Sequence, residues 1–162
     1  MKHRTGLLTA LAVAMGILLA AGLALAQATV TLYTATEAPG AIIDPGTVTF
    51  PDGNMHLRGA ERYYTRVGSD PRVSGGTLTG VTNANLDKNM SGPIWGTFRW
   101  EIGGGVWEGT WQGRFNFVTG AGEYESVGHG SGDFRGLQMR DHCVYTAGTG
   151  ACAGRILETP RS

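Results

Sequence analysis

The densest group of residues suited to chemistry is the set Arg99, Glu101, Glu108 and Arg114, with three tryptophans, Trp100, Trp107 and Trp111, interleaved among them. Arg99 and Glu101 stand two apart, so on a strand they share a face. If that face pointed inward, burial and pairing would shift their proton affinities and suit them to acid catalysis or to a polar ligand group. On the outer face the same residues make a cross-strand ion pair. The alternation favours the outer face, because it sends the aromatic residues the other way. His129 adds a further polar group, set among the glycines of Gly128-His129-Gly130-Ser131-Gly132. The candidate ligand-contacting residues are therefore Trp100, Trp107, Trp111, Arg99, Glu101 and His129, and no catalytic residue can be assigned.

Other chemistries fit poorly. No serine occupies a Gly-x-Ser-x-Gly elbow, and the segment after Ser131 reads as a strand where a hydrolase needs a helix. The same absence of a following helix, and of a Walker lysine, argues against a phosphate cradle at Gly128–Gly132, which reads instead as a turn or bulge between strands. His56, His129 and His142 lack close ligand spacing, so no metal site is expected, and nothing calls for a cofactor. Cys143 and Cys152 enclose eight residues and are read as one disulfide stapling a strand end and a glycine turn.

The elements that must position these groups are strands. Period-2 alternation recurs between turn signals, and no long capped helical pattern follows the N-terminal segment. Strands are expected at Ala28–Thr34, Thr47–Phe50, Met55–Val67, Thr77–Thr82, Ile94–Ile102, Val106–Val118, Tyr124–Val127, Phe134–Met139 and Arg155–Leu157. The clearest hairpin joins Ile94–Ile102 to Val106–Val118 through three glycines. One face of its second strand carries Trp107, Gly109, Trp111, Gly113, Phe115 and Phe117; the other carries Glu108, Thr110, Gln112, Arg114 and Asn116. Glycines beside large aromatics suit a strongly curved sheet, where the absent side chain leaves room for a ring. The expected fold is a single small antiparallel β-barrel of about eight strands, with a β-sandwich as the alternative.

Residues 1–26 read as a cleaved signal peptide. Lys2, His3 and Arg4 precede 22 uncharged residues, and Ala24-Leu25-Ala26 is the pattern a signal peptidase accepts. An uncleaved membrane anchor is the alternative. Cleavage predicts a secreted or periplasmic domain over 27–162, with no stable membrane anchor. The whole chain has 13 basic and 13 acidic residues; without Lys2 and Arg4 the balance is 11 to 13, a formal charge of −2. That balance, with arginines scattered along the chain, argues against nucleic acid as a partner.

Three runs carry a family resemblance: Gly75-Gly76-Thr77-Leu78-Thr79-Gly80, Pro93-Ile94-Trp95-Gly96-Thr97-Phe98, and Gly105-Val106-Trp107-Glu108-Gly109-Thr110-Trp111-Gln112-Gly113. With Gly128–Leu137 they resemble uncharacterised bacterial secreted proteins related to the allene oxide cyclase-like and dirigent-like barrels. The resemblance covers about Gly75 to Met139 and implies an eight-stranded barrel, often a homo-oligomer, in which some members shape a cyclisation without a metal. None of that group's catalytic residues maps onto a numbered position here. The expected function is binding of a small apolar ligand or a structural role, with a cofactor-independent cyclase or isomerase as the alternative. An enclosed apolar space of about 300 Å³ or more would suit a ligand, whereas a filled interior would suit a structural role.

Overall fold

The computed structural model describes residues 29–158, so the expected signal peptide lies outside the described residues. Nine strands follow one another: β1 (Thr29–Asp44), β2 (Thr47–Thr49), β3 (Met55–Gly68), β4 (Thr77–Leu86), β5 (Ser91–Ile102), β6 (Gly105–Asn116), β7 (Ala121–Gly132), β8 (Leu137–Thr146) and β9 (Thr149–Glu158). Short 3-10 turns at Pro51–Gly53 and Pro71–Val73 flank β3. Among the described residues no helix is long and apolar enough to cross a membrane.

The expected eight-stranded barrel is corrected, and so is its alternative, the sandwich. The strands form a single nine-stranded antiparallel sheet in the order β1-β9-β8-β7-β6-β5-β4-β3-β2, with a further pairing of β1 to β3. β1 serves its two neighbours by halves. Thr29–Glu37 runs against β9 and Ala35–Asp44 against β3, so only Ala35, Thr36 and Glu37 have ladder partners on both sides. β2 pairs with β3 alone and continues the line of β1 beyond Pro45-Gly46. An evenly closed cylinder has no such one-sided stretches. The sheet is curled on itself, its ends joined by the irregular β1–β3 pairing between Ala35 and Asp44, and β1 is paired on both sides over three residues only.

Each of the nine expected strands has a counterpart, but several bounds differ. β1 runs ten residues past Thr34, through Pro39 and Gly40, with register shifts between Pro39 and Asp44. Proline fits there because this stretch is paired on one side only. Gly128–Gly132, expected as a turn, is the end of strand β7, paired residue for residue with β6. The turn comes later, at Asp133–Gly136.

Alternation sets which side chains enter the curl. On β5, Ile94 and Trp100 are buried while Arg99 and Glu101 are exposed; on β6, Trp107 is buried while Glu108, Thr110, Gln112 and Arg114 are exposed. Glycines make room for the rings. A Cβ at Gly96 would lie 2.9 Å from the Trp111 ring, and one at Gly80 would lie 2.9 Å from the Tyr64 ring. At Gly128 it would lie 2.8 Å from Met139 and 2.9 Å from Phe98. All four separations are too short for a real methyl group, so the curvature and the aromatic content depend on one another.

One end of the curl is plugged. Trp100 and Trp107 are fully buried there with Val73, and Trp107 stacks on Phe134 at 5.0 Å between centroids. Their indole N–H groups donate to the carbonyls of Gly75 and Arg72, each at 2.7 Å, which pins the segment after β3 across the opening. Asp70 caps the 3-10 turn by accepting from the Arg72 amide and pairs with its guanidinium.

Cys143 on β8 stands directly opposite Cys152 on β9, and the two form the expected disulfide, with Cα atoms 4.0 Å apart. Both are buried with Ala35 and Tyr145, so the bridge fixes the wall on which the polar residues described below are mounted. Replacing both cysteines by alanine is expected to lower unfolding stability by about 2–4 kcal/mol. Denaturant unfolding of the oxidised protein and the double variant measures this; equal midpoints would show that the bridge contributes nothing.

Candidate functional site

The curl encloses a cavity of about 520 Å³ that opens at the end opposite the tryptophan plug. Its lining has two sides. From β4, β5 and β6 come Leu78, Ile94, Phe98, Trp111 and Phe115, an apolar wall. From β1, β3, β7 and β8 come Glu37, Arg66, Tyr124, Ser126 and Tyr145, a polar wall.

The polar wall is a hydrogen-bonded cluster built around Arg66, whose Nε is left without a partner among the described residues. Strand alternation carries Tyr64 and Arg66 inward on β3, Tyr33 and Glu37 on β1, Tyr124 and Ser126 on β7, and Asp141 and Tyr145 on β8. The Arg66 guanidinium donates through Nη1 to Glu37 at 3.2 Å and through Nη2 to Asp141. Glu37 also accepts from the Tyr124 hydroxyl at 2.7 Å and from the Tyr145 hydroxyl. Asp141 accepts from the Tyr33 hydroxyl at 3.1 Å and from Ser126. Glu37, Arg66, Ser126 and Asp141 are all buried. The Arg66 guanidinium also lies over the Trp100 ring, 5.2 Å from its centroid, where the π face favours a cation.

Burial would by itself weaken the charge on Arg66, but Asp141 and then Glu37 outweigh it, and the guanidinium holds its proton more firmly than usual. The tyrosines shift the same way for a different reason. Burial disfavours their phenolates, and the neighbouring carboxylates repel them further, so Tyr33, Tyr124 and Tyr145 keep their protons well above the ordinary range. Tyr64 is also raised, chiefly by burial. The neutral hydroxyls therefore act as donors to Glu37 and Asp141 and present oxygen lone pairs as their remaining hydrogen-bonding capacity.

The six sequence-derived candidates separate into three places. Trp111 lines the cavity. Trp100 touches its inner end but is fully buried, and Trp107 belongs to the plug. Arg99, Glu101 and His129 are exposed on the outer surface. There Arg99 bridges Glu101 at 2.8 Å and Glu108 across the β5–β6 ladder, the ion pair that the alternation favoured. His142 is likewise outside, 3.3 Å from Glu123. Among the described residues no group of three metal-ligating side chains converges.

The cluster residues Glu37, Arg66, Ser126, Asp141, Tyr33, Tyr124 and Tyr145 were not among the candidates. Their signal is a charge in the apolar phase of a strand. Asp141 alternates with Met139, Cys143 and Tyr145, and Glu37 alternates with Tyr33 and Ala35.

No family model, no curated protein and no solved structure matches the chain. The allene oxide cyclase-like descriptor therefore has no support, and the cyclase or isomerase activity drawn from it does not stand. The expected binding of a small apolar ligand, or a structural role, is corrected with it, since no match supports either. The lining of the cavity is mainly apolar, with charged and hydroxylated groups gathered along one wall.

Two predictions follow from the cluster. In the unfolded chain tyrosine ionises near pH ~10, whereas the buried phenols resist ionisation. Above that pH the unfolded state holds fewer protons than the native one, so stability should be complete below about pH 10 and fall as pH rises beyond it. Near-ultraviolet phenolate absorbance should show Tyr33, Tyr64, Tyr124 and Tyr145 ionising only as the protein unfolds; reversible ionisation of all five tyrosines in the native state would contradict this. Arg66→Leu leaves Glu37 and Asp141 without their cation and should cost about 3–5 kcal/mol in denaturant unfolding. A loss below about 1 kcal/mol would show that the ion pairs are not what holds the two carboxylates in place.

Proposed function

We propose that this is an exported binding protein that holds one amphipathic small molecule, with its apolar side on β4–β6 and its hydrogen-bonding group on the polar wall. The two-sided cavity is the observation that carries this reading. A volume of about 520 Å³ falls in the range of small-molecule sites, and such sites combine an apolar lining with a few fixed polar groups. The polar groups here are fixed in advance. Each carboxylate accepts bonds from three side chains, so little orientational freedom remains to be lost on binding. Location outside the cytoplasm is supported by the disulfide and by the N-terminal basic-then-apolar pattern.

The test uses N-phenyl-1-naphthylamine, an uncharged dye that brightens in apolar surroundings. The oxidised protein should bind one equivalent, and Ala60→Phe, which puts a ring at a lining position, should abolish the enhancement while leaving the circular dichroism spectrum intact. No enhancement with the native protein, or unchanged binding to the filled variant, would sink the reading.

A further inference from the structure

We infer that the polar group of the bound molecule is a cation, so that the ligand class is organic ammonium compounds with an apolar body. This rests on the cavity reading above and adds the sign of the charge.

The carboxylates around the cavity outnumber the guanidinium groups. Glu37, Asp44 and Glu61 line it, and Asp141 stands behind Arg66; against these four are Arg62 and Arg66, for a formal charge of −2. The excess is not spread evenly. Inside, one arginine serves two carboxylates. Nearer the opening, Asp44 of β1 and Glu61 of β3 are ladder partners, two like charges directly opposite one another. Neither takes part in the ion pairs among the described residues. Such a pairing costs stability in a ladder, and a cation passing between the two carboxylates relieves it.

Two further observations agree in sign. The hydroxyl hydrogens of the lining residues Tyr124 and Tyr145 are both committed to Glu37, so these groups offer oxygen lone pairs to a newcomer. An ammonium supplies only donors, which suits them; a carboxylate supplies only acceptors. The facing wall adds Phe98, Trp111 and Phe115, whose π faces attract an ammonium and not an anion. An anionic ligand would meet excess carboxylates, committed hydroxyls and aromatic faces, with only Arg62 and Arg66 to draw it.

Three probes that share a ring system separate these terms: 1-naphthylmethylammonium, 1-methylnaphthalene and 1-naphthoate, each used to displace N-phenyl-1-naphthylamine from the native protein. The ammonium should displace the dye at about tenfold lower concentration than methylnaphthalene, and the carboxylate should be the weakest of the three. Added salt should narrow the gap. In Asp44→Asn/Glu61→Gln, which alters only the pair near the opening, the ammonium should lose several-fold while methylnaphthalene is unchanged. An ammonium no better than the hydrocarbon, or a carboxylate equal to the ammonium, overturns the inference and leaves the cavity reading standing. Absence of dye binding to the native protein overturns both.

Discussion

The fold depends on a single guanidinium. Arg66 comes from β3, and its two nitrogen donors reach carboxylates on β1 and β8, strands that do not pair with each other. Without it, Glu37 and Asp141 would be two buried anions lodged in one wall, an arrangement several kcal/mol too costly to persist. With it, three strands must hold their places together. A slip of β1 by one residue would turn Glu37 outward and leave the arginine half unpaired. Glu37 is also the last of the three β1 residues with ladder partners on both sides. The stretch where the sheet's ends meet and the anchor of the polar cluster are the same piece of chain.

That stretch bears on what could be read in advance. Alternation shows the orientation of the β5–β6 hairpin, with Arg99 exposed and Trp107 buried, but the expected Phe134–Met139 overlaps β8 (Leu137–Thr146) by only three residues. Alternation is local, however, and says nothing about which distant strand lies alongside. The second half of β1 lies beyond the expected Ala28–Thr34; Pro39 is admissible in it because one side of the strand lacks a ladder partner, a fact of tertiary pairing. The same ignorance of pairing led to an evenly closed eight-stranded cylinder, where the molecule shares one strand by halves and trails β2 beyond it.

The polar cluster was hidden for another reason. Closeness in sequence singles out Arg99, Glu101 and Glu108. Glu37, Arg66 and Asp141 are 29 and 75 residues apart along their two contacts, and each alone looks like a lapse in an otherwise apolar phase. Treating such lapses as the informative positions would have pointed to Asp141, flanked in its own phase by Met139 and Cys143. The tryptophans misled in the opposite direction. Trp100 and Trp107 have the composition of a ligand platform, but their indole N–H groups are spent on the carbonyls of Gly75 and Arg72.

Those two indole bonds govern traffic as well as packing. Among the described residues the far end is stoppered, so the interior is a blind sac, and a guest would back out by the doorway it used. A guest cannot be handed through to a second compartment, and two guests cannot pass. Occupancy is then a matter of residence time at one threshold, framed by Ile42 and Pro45 on one lip and by Phe117 and Gly120 on the other. For a guest held as proposed, release would wait on that doorway.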